Sequence, residues 1–218
     1  SNIMGATKRA AEKLIQSINV ISNTQFMAVR FGNVLGSSGS AIPTFQNQIN
    51  EGGPITITHP EMTRYFMSIQ EASQLILQSS ALGRNGEIFL LEMGKPIKII
   101  QMARDLIKLS GLEPEIDIPI VYTGLRPGEK LYEELQLLDE RKVSTNHNKI
   151  MILVDGKSVM PWEAFKVSVK GLLNVAEDLE SDKIQAQLKE LLPTYQPRSF
   201  TPVTKENKLD PYAIKGEA

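Results

Sequence analysis

At 218 residues with 41% hydrophobic content, the chain has the length of one domain or one and a half and enough apolar material for a real core. Its 24 basic and 25 acidic side chains leave a formal net charge of −1, so nothing marks it as a nucleic-acid or membrane-surface binder. It has no cysteine, which excludes disulfides, thiolate catalysis and cysteine-ligated metal, and its two histidines, His59 and His147, lie far apart in sequence, which argues against a histidine-rich metal site.

No apolar run approaches the ~20 residues of a membrane span and no signal-peptide pattern opens the chain, so a cytoplasmic location is expected. Helix-like sequence starts within a few residues of Ser1 with no strand before it. A piece of a longer protein is therefore expected, with Ser1-Asn2 open to being a cloning remnant. Residues 5–18 carry Ala6, Ala10, Leu14 and Ile18 at helical spacing, and Lys8, Arg9, Glu12, Lys13 and Gln16 take much of the remaining surface, which predicts an amphipathic helix. FMAVRFG (26–32) reads as a buried strand, GNVLGSSGS (32–40) as a loop, and AIPTFQNQIN as a helix ended by Gly52-Gly53. A strand PITIT (54–58), a turn around HPEM and an extended RYFMS follow, then a helix over 70–82 and the strand EIFLLE (87–92). IKIIQMARDLIKLSG predicts a helix stopped at Gly111, IDIPIVYTG (116–124) a strand, LRPGEK a loop and LYEELQLLDE a helix. After the strand KIMILV (149–154) come two helices, Trp162–Asp178 and Ser181–Leu192, and a tail from about Pro193 rich in proline and charge. Alternating helices and short strands make this an α/β chain.

The glycine loop is not a dinucleotide cradle. Gly32, Gly36 and Gly39 give G-x₃-G-x₂-G, whereas the dinucleotide fingerprint is G-x-G-x-x-G and a P-loop needs a following Gly-Lys-Ser/Thr. A loop at the carboxyl end of a strand is nonetheless where open α/β sheets bind ligands.

Three stretches occur in order: MGATK, then RFGNVLGSSGS with THPEMTRYFMSI, then TGLRPGEKLYEEL. Together they resemble the carboxyl-terminal half of extended short-chain dehydrogenase/reductase enzymes. Within that group they look like the CapD-like polysaccharide-biosynthesis proteins, which are NAD-dependent UDP-N-acetylhexosamine 4,6-dehydratases. The resemblance runs from about residue 2 to about 150. It implies that residues 1–40 are the last helix, strand and loop of a Rossmann-like domain whose amino-terminal part is missing. Residues 41–150 would form the smaller nucleotide-sugar-binding subdomain, 151–192 a helical extension and 193–218 a flexible tail.

In the superfamily the first motif is Tyr-x-x-x-Lys, whose lysine binds the nicotinamide ribose and lowers the pKa of the tyrosine base. Here Met4 stands at the tyrosine position, and a methionine moves no proton. Some CapD-like dehydratases share this replacement, and in them an acid–lysine pair upstream performs the proton chemistry. The resemblance thus makes Lys8 a catalytic-site and cofactor contact and Met4 a marker, and places Phe31 and Gly32 beside NAD. Taken alone, Lys8 reads as a solvated helix lysine.

For the substrate, the resemblance implies that Asn33 donates to the diphosphate and that Thr56 and Thr58 border the uracil. It gives Arg64 and Arg126 the diphosphate and Glu129 the ribose hydroxyls. An amide donor and forked guanidinium groups suit phosphate oxygens. Asn33 reads equally well as a turn residue, and Glu129 as a first-turn acid of a following helix. Elsewhere His59 reads as a turn residue, Glu133-Glu134 and Asp139 to Lys142 as a solvated helix face and its exit, and Trp162 as a packing anchor. Met27, Met67, Met93, Met102 and Met151 read as core or strand positions.

The activity implied is oxidation of the sugar at carbon 4 with hydride passing to NAD, loss of water across carbons 5 and 6, and hydride return to carbon 6. The product, a 4-keto-6-deoxy sugar nucleotide made from UDP-N-acetylglucosamine, would feed capsule or O-antigen synthesis in a bacterium. This chain would be the substrate-binding part, inactive alone and compatible with a homo-oligomer, while longer members carry a membrane-spanning amino-terminal region. Two other readings stay open: a UDP-sugar 4-epimerase, against which Met4 argues, and a non-catalytic module that binds UDP-sugars or only makes subunit contacts.

Overall fold

A computed structural model gives the fold and describes residues 2–84, 86–156, 159–177 and 179–196. The first helix, α1 (Ile3–Ile18), begins where Asn2 in extended backbone accepts a 2.7 Å hydrogen bond from the Gly5 amide, an N-cap that satisfies an otherwise orphaned donor. Its buried Ala6 packs into a cluster with Phe165, Leu188, Leu191, Leu192 and Tyr195, so the opening helix sits on the terminal helices.

Strands β1 (Ala28–Arg30) and β2 (Asn33–Val34) follow, then α2 (Ala41–Asn50) and β3 (Ile55–Ile57). In β3 Ile55 and Ile57 are buried and Thr56 between them is exposed, the alternation a strand imposes on a sheet with one wet face. The extended RYFMS stretch becomes two short strands, β4 (Thr63–Arg64) and β5 (Phe66–Met67). Helix α3 (Ile69–Leu82) starts at Ser68, whose hydroxyl accepts from the Glu71 amide.

Every residue of β6 (Ile88–Leu91) is buried because it is central, parallel to β1 on one side and antiparallel to a strand over residues 150–154 on the other. Next come β7 (Ile97–Lys98) and α4 (Ile99–Leu109), which buries Ile99, Met102, Ala103 and Ile107 on one face. Then follow β8 (Ile120–Tyr122), β9 (Arg141–Ser144), β10 (Ile150–Val154), α5 (Trp162–Glu177) and α6 (Ser181–Leu191). The main sheet has the order β1-β6-β10-β9, and three two-stranded pieces pair β2 with β5, β3 with β8 and β4 with β7. One core cluster joins α2, α4, β3 and the residues around β8, and another packs α3 against the main sheet through Leu75, Phe89, Leu91 and Ile150. Burying each such side chain contributes roughly 1.5–3 kcal/mol.

The structure corrects four expectations. LYEELQLLDE forms no helix but bends and turns, because its side chains and carbonyls bond to other elements and not along a helix axis. The expected helix exit at Arg141-Lys142 is the strand β9, paired with β10. The IDIPIVYTG strand shortens to three residues, Ile120–Tyr122, and the glycine loop contains the two-residue β2. Trp162 does anchor the terminal helices, its ring stacked on Phe165 with centroids 6.5 Å apart. Asp178 lies outside the described residues. Of the segment expected as a tail, Pro193 to Gln196 is described and Tyr195 in it is buried, while 197–218 lies outside the described residues.

Candidate functional site

The RPGEK segment forms a tight turn. The Glu129 amide donates to the Arg126 carbonyl at 2.9 Å, with Pro127 at the second position and Gly128 at φ +76° at the third, a pairing that suits a type II turn. The Glu129 carboxylate closes the turn by accepting from the Arg126 amide at 3.0 Å and from the Thr58 hydroxyl at 3.3 Å. An ionised carboxylate has about four acceptor positions, so these bonds orient Glu129 and leave capacity for a ligand hydroxyl.

Arg64 holds this turn from behind. Its guanidinium donates to the carbonyls of Thr63 (2.7 Å), Leu131 (3.2 Å) and Lys130 (2.9 Å) and lies 3.9 Å from Glu129 and 3.7 Å from Glu133. Glu133 in turn accepts from the Tyr65 amide at 3.2 Å, so it is a structural acceptor and not a free surface acid. Its neighbour Glu134 does pair on the surface, with Lys130. The Asn33 amide donates to the Tyr65 carbonyl at 2.9 Å, and Asn33 pairs in register with Phe66. Hydrogen bonds and ion-pair contacts therefore connect Asn33 through Tyr65, Glu133 and Arg64 to Glu129 and Thr58.

Thr56 stands apart. Its hydroxyl accepts from the Gln48 side chain at 2.8 Å and its amide donates back to the same side chain at 3.1 Å, which commits it to α2. Phe31 is half-buried against the main-sheet cluster, and the Gly32 amide donates to the Met93 sulfur at 3.4 Å. A Cβ on Gly32 would stand 2.8 Å from that of Tyr65, so packing requires glycine there. His59 keeps its turn role, its ring nitrogen accepting from the Glu61 amide. Met67, Met93 and Met102 are buried and Met27 and Met151 half-buried, as core and strand positions require.

Met4 and Lys8 are both exposed on α1. The helix carries three cations, and two of them are consumed: Arg9 pairs with Glu12, Glu140 and Asp155, and Lys13 with Asp155. Among the described residues Lys8 has no ion-pair partner, and neither does the exposed Arg126 guanidinium.

The charge network beneath α1 escapes a sequence reading. Arg30, the last residue of β1, donates to both Glu12 oxygens (2.5 and 2.8 Å), to both Glu140 oxygens (2.8 and 2.9 Å) and to the Leu135 carbonyl (3.1 Å). Glu140, expected on a solvated face, is 5% exposed, and Glu12 is also buried. Burial alone would push the Glu12 carboxyl up, but the hydrogen bonds and charges of Arg30 and Arg9 hold it below the ordinary carboxylate range. For Arg30 burial opposes the charge, and Glu12 and Glu140 together raise its pKa still further above the usual arginine value. The available signal was the arginine itself: a cation inside an apolar strand needs a buried carboxylate nearby.

The helices around a sheet with the parallel β1–β6 pair, and the overlay on solved relatives, define a Rossmann-like fold of the extended short-chain dehydrogenase/reductase type. Residues 1–155 match the family described as "Polysaccharide biosynthesis protein", and the chain belongs to it. That match includes Asn2. The capsular polysaccharide biosynthesis protein CapD of Staphylococcus aureus is 65% identical over 136 residues, which cover 62% of this chain and 22% of CapD. The chain thus spans about a fifth of that relative's length. Among solved structures, Pen from Bacillus thuringiensis overlays with a TM-score of 0.60 and 36% identity over 72% of this chain and 48% of its own. DesIV, a dTDP-glucose 4,6-dehydratase of Streptomyces venezuelae solved with NAD and TYD bound, shares the fold at 19% identity and a TM-score of 0.51, over 58% of this chain and 39% of its own. No helix among the described residues is long and apolar enough to cross a membrane, and no group of acidic, histidine or cysteine side chains among them could hold a metal ion.

Proposed function

We propose that this chain is the nucleotide-sugar-binding part of an NAD-dependent UDP-N-acetylhexosamine 4,6-dehydratase that serves surface-polysaccharide synthesis. The observation that carries the reading is the pairing of Met4 with Lys8. A lysine with no ion-pair partner among the described residues lies one turn from a side chain that cannot act as base, on a helix whose other two cations are neutralised. That donor fits a cofactor ribose, which offers hydroxyl acceptors and no charge.

NAD, when bound, supplies the hydride acceptor and donor. The chain's own residues bind and orient. Lys8 holds the ribose beside Phe31 and Gly32. Arg126, whose guanidinium has no ion-pair partner among the described residues, takes two diphosphate oxygens, and Arg64, bonded to the carbonyls of Thr63, Lys130 and Leu131, fixes the turn that presents it. Asn33 donates its side-chain amide to the diphosphate. Glu129, held by Thr58 and the Arg126 amide, accepts from the uridine ribose hydroxyls, and the Thr56 to Thr58 backbone borders the base. With Met4 at the tyrosine position, proton transfer at carbons 5 and 6 falls to groups outside residues 1–218. The proposed division is 1–40 for the end of the Rossmann-like unit, 41–150 for the nucleotide-sugar subdomain and 151–192 for the helical extension.

The test is calorimetric titration of the 218-residue chain with UDP, with Arg126→Ala and Glu129→Gln as controls. Saturable binding that both variants weaken supports the reading. No binding, or binding indifferent to both, overturns the assignment of the turn as the nucleotide contact.

A further inference from the structure

Two glycines, one in MGATK and one in RPGEK, face the same side chain. A Cβ on Gly5 would stand 3.1 Å from the Asn2 Oδ1, and a Cβ on Gly128 would stand 3.1 Å from the Asn2 Cβ. Asn2 fills the gap between the two motifs and bonds to both. Its Oδ1 accepts from the Gly5 amide at 2.7 Å, and its Nδ2 donates to the Gly128 carbonyl at 3.0 Å, across 126 positions of sequence. The carboxamide does both through two separate atoms, an acceptor for the cap and a donor for the carbonyl.

We propose that Asn2 is a positioning residue. It fixes the helix that carries Lys8 against the turn that carries Arg126 and Glu129, and so sets how the turn meets the nucleotide. This inference rests on the reading of the turn as the nucleotide contact. An N-cap alone does not call for the second bond: serine or aspartate caps a helix about as well as asparagine. The second bond is not needed to close the turn either, which the Glu129 amide and carboxylate already do. What it adds is the relation between helix and turn. The same segment is tied to α1 again at its far end, where Glu140 meets Arg9 at 3.1 Å. The span between the two ties carries Glu129 and ends in a buried ion pair, so the turn is held at both sides.

Asn2→Ser and Asn2→Asp test this in the 218-residue chain, because each keeps an acceptor for the Gly5 amide while the bond to Gly128 is lost: aspartate has no donor, and serine has a single, shorter hydroxyl in place of the two atoms that make the two bonds. The expected result has three parts. The thermal midpoint stays near wild type, since the cap survives. Backbone exchange of the Glu129 amide speeds up roughly fivefold, the equivalent of one neutral hydrogen bond. UDP binding weakens by about the same factor, with Asn2→Asp at least as affected because its carboxylate faces a carbonyl. Unchanged exchange and unchanged affinity in both variants overturn the inference. So does faster exchange with wild-type affinity, which makes Asn2 a local tie only. If wild-type protein binds no UDP, the functional reading fails by itself, and the exchange measurement still decides whether Asn2 fixes the turn.

Discussion

Replacing Arg30 with methionine removes the hub of the network under α1 while keeping most of the side-chain volume. Two carboxylates lose their main partner: Glu140, whose side chain is 1% exposed, and Glu12, at 11%. Breaking a buried pair by deleting one partner costs about 3–5 kcal/mol, because the remaining charge stays desolvated. Arg9 still sits 2.8 Å from Glu12 and 3.1 Å from Glu140, which puts the expected loss at the lower end, about 3 kcal/mol. For a chain of this size each kcal/mol moves the midpoint by roughly 2–4 °C, so thermal circular dichroism of Arg30→Met is expected to show a drop of about 6–12 °C. Lys166→Met is the control. It removes an exposed pair with Glu163 and a cation over the Trp162 ring, 5.7 Å from its centroid, and is expected to change stability by no more than ~1 kcal/mol. Adding Glu140→Gln to Arg30→Met removes one stranded charge and is expected to recover part of the loss. A midpoint for Arg30→Met that matches the Lys166→Met control would refute the reasoning, because the carboxylates would then not depend on the hub.

Acid sensitivity follows from Glu12. Its folded pKa lies below the unfolded value, so its stabilisation is fully present above the ordinary carboxylate value of about 4.3 and is lost as pH falls from there through the folded value. Urea midpoints taken between pH 6 and pH 3 are expected to fall across that window, and Glu12→Gln is expected to flatten the slope. Gly32→Ala places a Cβ 2.8 Å from that of Tyr65 and 3.0 Å from its carbonyl oxygen. A loss of about 1–3 kcal/mol in urea unfolding is expected, and a neutral result would mean that Tyr65 moves freely. Lys8→Met leaves the midpoint within ~0.5 kcal/mol, because the side chain has no ion-pair partner among the described residues, yet it is expected to abolish turnover in the longer enzyme. Unfolding of that variant would make Lys8 a structural residue.

Much of this was legible in local sequence. α1, α2, α3, α4 and the strands at β3, β6 and β10 announce themselves by periodicity, and Pro127-Gly128 announces a turn. LYEELQLLDE misleads because its helix propensity is real but its partners are elsewhere: Leu135 offers its carbonyl to Arg30, Glu133 accepts from Tyr65, and Glu140 enters the buried network. Arg9, Glu12 and Lys13 look like a solvated helix face for the same reason. Helical spacing shows which residues share a face, and not that a strand arginine and a distant aspartate cover it. Asn2 was the least legible of all, since its second bond spans nearly the length of the family match.

The central claim is a dehydratase whose substrate half is this chain. The most direct measurement incubates the longer protein that contains these residues with UDP-N-acetylglucosamine and NAD and analyses the sugar nucleotide by mass spectrometry. The account predicts a 4-keto-6-deoxy product lighter by one water, and its loss in Lys8→Met and Arg126→Ala. A product of unchanged mass, inverted only at carbon 4, would contradict it and make the protein an epimerase.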